Sequence, residues 1–113
     1  MKIVPFEFTK IGKQWGKIPN APKDKNQYEI DIAALNEKTK EILFCECKWK
    51  EQINAEQITK ELNKKAEYVD WNNNKRKEYF AVFAKSFSKK IKEFEGKRVY
   101  CFDLKDIETA LKK

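Results

Sequence analysis

The chain of 113 residues is long enough for one domain with a real core and too short for two. Its 41% apolar share excludes a disordered chain. No apolar run approaches the roughly 20 residues of a membrane helix, and residues 1–10 lack the features of a secretory signal, so a cytoplasmic protein is expected. Lys and Arg number 25 against 18 Asp and Glu, a surplus of +7 that suits a phosphate-bearing partner through counterion release. Abundant Lys and Glu equally make a solvated surface, so charge alone leaves nucleic-acid binding open.

Residues 1–26 hold all three prolines and two of the three glycines, and read as an irregular lead-in or linker with one short strand near residues 3–8. From residue 27 to 113 the pattern is that of a single α/β domain. Residues 28–35 alternate and are β-branched, residues 36–39 have turn chemistry, and residues 42–49 read as a second strand, together a β-hairpin. Asn54 followed by Gln57 matches a capping box, opening a helix with Ala55, Ile58, Leu62, Ala66 and Val69 at helical spacing. Residues 71–77 are a polar loop, and residues 79–84 are apolar on both faces, as in a buried strand. Phe87, Ile91 and Phe94 at i, i+4, i+7 predict a short helix ended by Gly96. Residues 99–102 form a further strand, and Asp103 caps a final helix with Leu104, Ile107 and Leu111 facing inward. The expected fold is a mixed sheet flanked by helices, in the order hairpin, helix, strand, helix, strand, helix.

The side chains available for chemistry are restricted. Three cysteines, Cys45, Cys47 and Cys101, close no disulfide framework and sit in apolar runs, as reduced buried thiols do. The sequence contains no histidine, which removes Ser-His and Cys-His catalysis and most zinc enzymes. An enzyme built from these residues works with carboxylates, lysines or a hard metal held by oxygen. Trp15, Trp49 and Trp71 read as core or lid anchors.

The hairpin breaks the apolar pattern in one place. On its second strand Ile42, Phe44, Glu46 and Lys48 share one face and Leu43, Cys45, Cys47 and Trp49 the other. On its first strand Glu29 and Asp31 share the face opposite Tyr28, Ile30 and Ile32. A four-residue loop at residues 37–40 pairs Asn36 with Glu41 and sets Asp31 opposite Glu46; a register shift of two sets Glu29 there instead. Like charges across a sheet are destabilising, so two carboxylates meeting beside a lysine are explained by a cation between them. Oxygen-rich ligation without histidine suits Mg2+ or Mn2+.

Asp31, then Glu46-Cys47-Lys48 after fourteen residues, resembles the PD-(D/E)XK nuclease superfamily core, which includes restriction endonucleases and Holliday junction resolvases. The stretch YEIDIAALNEKTKEILFCECKWK at residues 28–50, with IGKQWG at residues 11–16, is similar to the nuclease-like C-terminal domain of archaeal and bacterial ATPases of poorly defined function, a resemblance that runs from about Ile11 to the C-terminus. The resemblance implies a restriction-endonuclease-like core and metal-dependent hydrolysis of nucleic-acid phosphodiesters, DNA above all. Asp31, Glu46 and the backbone carbonyl of Cys47 would bind Mg2+ or Mn2+, with Glu29 a flanking candidate. Lys48 would orient the attacking water or neutralise charge developing on the phosphate. Gln57 matches the polar helix residue of resolvase-like members, although the capping box explains it equally. Lys75, Arg76, Lys77, Lys85, Lys89 and Lys90 are candidates for the phosphate backbone. The superfamily's leading helix, often with a further acidic residue, has no counterpart in the proline-broken start. Either that element is absent or the chain is a piece of a longer ATPase, and a missing element would leave an exposed sheet edge or face that favours a homodimer. A non-catalytic nucleic-acid-binding or regulatory module of such an ATPase is the alternative.

Overall fold

The computed structural model describes residues 7–18, 20–23 and 26–111. A six-stranded mixed sheet is built from β1 (Lys10–Lys17), β2 (Gln27–Asn36), β3 (Glu41–Lys48), β5 (Lys77–Ala84), β7 (Glu93–Phe94) and β8 (Lys97–Phe102), in the order β1-β2-β3-β5-β8-β7. Strands β3, β5 and β8 run parallel, and the remaining pairs are antiparallel. Two short strands, β4 (Ile53–Asn54) and β6 (Phe87–Lys89), form a separate parallel pair. Helix α1 (Ala55–Ala66) follows β4, and α2 (Leu104–Leu111) follows β8. No helix among the described residues is long and apolar enough to cross a membrane.

The hairpin forms as its sequence dictates. Asn36 Oδ1 accepts from the backbone N–H groups of Lys38 (2.9 Å) and Thr39 (3.2 Å), Lys40 takes a positive φ of 62°, and Asn36 pairs with Glu41. Asn54 caps α1 by accepting from the Gln57 N–H at 3.2 Å. At α2 the caps are reciprocal: the Asp106 N–H donates to Asp103 Oδ1 (2.8 Å), and the Asp103 N–H to Asp106 Oδ2 (3.1 Å).

Two expectations are corrected. Residues 10–17, read as part of an irregular lead-in, form β1. Its apolar content is too low to announce a strand, and the β2 ladder holds it. There the Tyr28 ring lies where a Cβ on Gly16 would come within 2.8 Å of it, so only glycine permits that approach. The strand expected near residues 3–8 falls for the most part outside the described residues. Secondly, no helix spans Phe87, Ile91 and Phe94. These residues belong to β6, a connecting segment and β7, and their spacing coincides with a helical period without making one. Glu95 (φ 49°) and Gly96 (φ 79°) form the two-residue turn between β7 and β8, where paired positive φ values match the sheet twist.

The core lies between the sheet and α1, where Ile30, Ile42, Phe44, Leu62, Phe80 and Val99 are buried. The other sheet face carries Ala34, Leu43, Cys45, Tyr79 and Ala81, flanked by Phe83, Tyr100 and Phe102. A polar clamp closes the α1 side. Arg76 donates to the carbonyls of Ala66 (2.8 Å), Val69 (2.7 Å) and Trp71 (3.1 Å), tying down the end of α1 and the turn beyond. Its guanidinium also pairs with Glu78 at 2.7 Å, and Lys97 holds the other oxygen of Glu78 at 2.6 Å. Burial alone would raise the pKa of Glu78, but its bonds to Lys97 and Arg76 win and hold it below the usual carboxylate range.

Arg76→Ala leaves three carbonyls and a buried carboxylate short of partners, and is expected to cost about 3 kcal/mol. Arg76→Lys restores little of this, because an ammonium cannot reach that fan of acceptors. Urea unfolding of the three proteins measures it.

Candidate functional site

The register of the β-sheet builds the site. Between β1 and β2 the pairing shifts: Gly12 faces Ala33 and Gln14 faces Ile30, so Asp31 and Ile32 together oppose Lys13. This is a β-bulge, which inserts a residue and reverses the phase of alternation. Tyr28 and Ile30 before it, and Ala33 and Leu35 after it, all pack toward α1. The β2–β3 ladder ends at the same point, at Ile32 opposite Cys45. Continuing that register sets Asp31 opposite Glu46 on the α1 face, in the same phase as Ala33 and Phe44. Asp31 therefore does not share a face with Glu29, as simple alternation predicted. Glu29 is exposed and lies 3.7 Å from Lys13 Nζ, away from Glu46.

The strands separate beyond Ile32, and the Asp31 side chain takes over a backbone partner's role. The Cys47 N–H donates to Asp31 Oδ2 at 2.8 Å. An extended residue presents its N–H and C=O to the same edge, so the Cys47 carbonyl points toward Asp31 as well. The Asp31 carboxyl is near enough to Glu46 to help raise its pKa. Glu46 is almost fully buried, at 5% exposure, and its Oε1 lies 3.0 Å from Lys65 Nζ of α1. Burial chiefly raises the pKa of Glu46; Lys65 pulls it down without prevailing, and Asp31 pushes it up. Neighbouring carboxylates repel, and a shared proton or a cation between them relieves the repulsion. Lys48 shares the β3 face of Glu46, is half-buried, and forms no ion pair among the described residues.

The donor set, two carboxylates and one backbone carbonyl, is of the kind that suits a hard divalent ion. No group of three or more His, Cys, Asp or Glu side chains gathers among the described residues, so such an ion would depend on the carbonyl and water for its remaining ligands. The cysteines do not compete. Burial, then Asp31 and Glu46, push the Cys45 thiol up to about 12 and raise that of Cys47, keeping both protonated. Cys47 is exposed, against the expectation of a buried thiol.

The other sequence candidates distribute unevenly. Gln57 caps α1 through its backbone N–H and its side chain is exposed. Lys85 and Lys89 are exposed at the end of the sheet where Lys48 lies, since the Lys85 N–H bonds to the Lys50 carbonyl at 3.0 Å. Lys75 and Lys77 are exposed at the opposite end, beside the start of β3. Arg76, expected on the phosphate backbone, is instead buried in the clamp on α1. Lys90 is held by Asp103 (3.3 Å) and Asp106 (2.5 Å) at the α2 cap. Trp15 and Trp49, expected as anchors, are 63% and 45% exposed. Lys65 was missed because a lysine at a helix flank carries no signal of its own; the path of α1 over β3 brings it to Glu46.

Comparison with known proteins adds lineage. Residues 1–66, more than half the chain, match the family described as archaeal and bacterial proteins of unknown function. The chain belongs to that family. Over 108 residues it is 32% identical to an uncharacterized protein of Methanocaldococcus jannaschii, covering 94% of this chain and 21% of that relative. The family match therefore contains both Asp31 and Glu46, while the chain spans about a fifth of that relative's length. No solved structure gives a significant match.

Because the folded protein holds the pKa of Glu46 above its ordinary 4.5, ionising it costs stability as pH rises past that value. Glu46→Gln is expected to gain on wild type from pH 4 to pH 7 in metal-free buffer, by urea unfolding. Parallel pH profiles would show that the buried carboxyl carries no such cost.

Proposed function

We propose that this domain hydrolyses phosphodiester bonds of nucleic acid, with DNA as the favoured substrate, as a metal-dependent nuclease of PD-(D/E)XK type with a restriction-endonuclease-like core. The observation that carries the reading is the meeting of Asp31 and Glu46 where β2 and β3 part, with Lys48 on the same face. Two neighbouring carboxylates in a half-buried site are costly unless their charge is balanced, and a divalent cation balances both.

In this reading Asp31, Glu46 and the Cys47 carbonyl hold Mg2+ or Mn2+. The bound ion supplies Lewis acidity toward the phosphate and acidifies its water. Glu46 is held through Oε1 by Lys65. Asp31 is oriented by the Cys47 N–H. Lys48 orients the nucleophilic water or stabilises charge gathering on the phosphate oxygens. Lys85 and Lys89, at the same end of the sheet, attract the flanking backbone as point charges.

A second reading is a non-catalytic nucleic-acid-binding or regulatory module. It is favoured by the chain's correspondence to a fifth of a longer relative, and by Lys65, which already neutralises Glu46 without a metal. In either case attachment to an ATPase, as the sequence resemblance implies, and pairing into a homodimer remain part of the proposal.

The test is incubation with duplex, branched and single-stranded DNA with Mg2+, Mn2+ or EDTA. Cleavage is expected with metal only, and Asp31→Asn, Glu46→Gln and Lys48→Ala are expected to lower it on the order of a hundredfold or more. Cleavage retained by Glu46→Gln would sink the site. Mn2+ at a hundredfold excess over its Kd is expected to stabilise wild type by about 2.7 kcal/mol and to leave Glu46→Gln unmoved. A wild type so stabilised that cuts nothing establishes the module instead.

A further inference from the structure

We propose that a cleft at the N-terminal ends of β5 and β8 is a second ligand site, which takes a nucleoside phosphate. The proposal does not rest on the hydrolytic reading. Lys77 lies five positions before Val82, the β5 partner of Glu46, and at about 3.3 Å per residue this is about 17 Å along the sheet. No single phosphate spans both places.

The cleft has a volume of about 770 Å³, within the range of small-ligand sites. Five cationic side chains line it against two carboxylates, Glu78 and Glu93. Glu78 is saturated by Arg76 and Lys97. Lys77, Lys92 and Arg98 are exposed and have no ion pair among the described residues. Three such cations around one concavity repel one another, and an anion relieves the repulsion.

The cleft also has one half-buried aromatic ring, Tyr100, beside Tyr79, which is buried at 7% exposure. Tyr79 and Tyr100 line it, and both lie on the sheet face away from α1. The Lys77 ammonium lies 5.5 Å from the Tyr79 ring centre, and the Arg98 guanidinium 5.8 Å from that of Tyr100. Each ring is held in place. The Tyr79 hydroxyl donates to Glu41 Oε2 at 2.7 Å, and Tyr100 lies parallel to Phe102 at 6.2 Å, with 1° between planes. At the mouth, a Cβ added to Gly96 would meet nothing within 4 Å. An accessible ring edged by cations, as Tyr100 is by Arg98, recognises a ligand that is planar at one end and anionic at the other, because base stacking and phosphate pairing are then satisfied together. Inorganic anions use only half of this surface.

A free nucleotide and a unit of a single strand share this chemistry, and titration separates them. The full chain, kept in EDTA, is titrated with AMP, with inorganic phosphate and with a labelled single-stranded oligonucleotide, by calorimetry and anisotropy. AMP is expected to bind at least about tenfold more tightly than phosphate, from stacking on one ring. The Lys92→Ala/Arg98→Ala double variant is expected to weaken AMP about tenfold or more, and Tyr100→Leu to erase the advantage of AMP over phosphate. Glu46→Gln is expected to change neither. An oligonucleotide that binds more tightly than AMP with the same variant dependence identifies a strand as the ligand; weaker binding identifies the free nucleotide. Amide NMR shifts on wild type guard against a misfolded variant: AMP should move residues 76–79 and 92–100 and leave 31 and 46 unmoved. The proposal is overturned if AMP and phosphate bind alike, if neither AMP nor the oligonucleotide binds at millimolar concentration, or if the shifts lie elsewhere.

Discussion

One extra residue in β2 decides which face of the sheet Asp31 occupies. Because Asp31 and Ile32 together oppose Lys13, alternation reverses there, and an acidic side chain that would face away from α1 is turned toward it. The same bulge ends the ladder to β3, and the strands part where Glu46 approaches. A backbone N–H that lost its ladder partner is satisfied by the Asp31 carboxylate. The cost of a broken ladder and the orientation of a site residue are thus settled by one bond, consistent with the frequency of bulges beside functional sites.

The charge surplus divides into cations with different work. Arg76 and Lys97 serve the fold: they converge on Glu78, and each lies over a core ring, Phe44 or Phe80, at 5.5 Å. Lys90 serves the α2 cap, and Lys65 neutralises Glu46. Of the exposed remainder, Lys77 and Arg98 lie at one end of the parallel strands and Lys85 at the other, while Lys10, Lys13, Lys60 and Lys105 are spread over β1 and the helices. A surplus of +7 is therefore a poor measure of the charge offered to a partner, since several of the cations are already balanced inside the molecule.

Much of the fold was legible. Asn36 specifies the hairpin loop because its side chain can satisfy two turn amides, and the loop fixes the register that brings Asp31 level with Glu46. Asn54 and Asp103 mark helix starts because their oxygens satisfy free N–H groups. β5 and β8 declare themselves by unbroken apolar runs. Strand β1 was not legible, as its residues have little strand preference and the ladder alone holds it. The segment from Phe87 to Phe94 misled because a run of three apolar residues satisfies a helical spacing by coincidence, and only pairing with Ile53 and Lys97 reveals the strands.

The sequence by itself restricted the side chains available for chemistry: it has no histidine, and its hairpin loop brings the carboxylates Asp31 and Glu46 into register. It also determined most element boundaries, because caps and turns are local physics. Tertiary structure alone decided which face Asp31 occupies, that Lys65 reaches Glu46, and that Arg76 belongs to the fold rather than the surface. Those facts depend on a ladder shift and on contacts between residues far apart in the chain, and neither spacing nor composition encodes the path that brings such residues together.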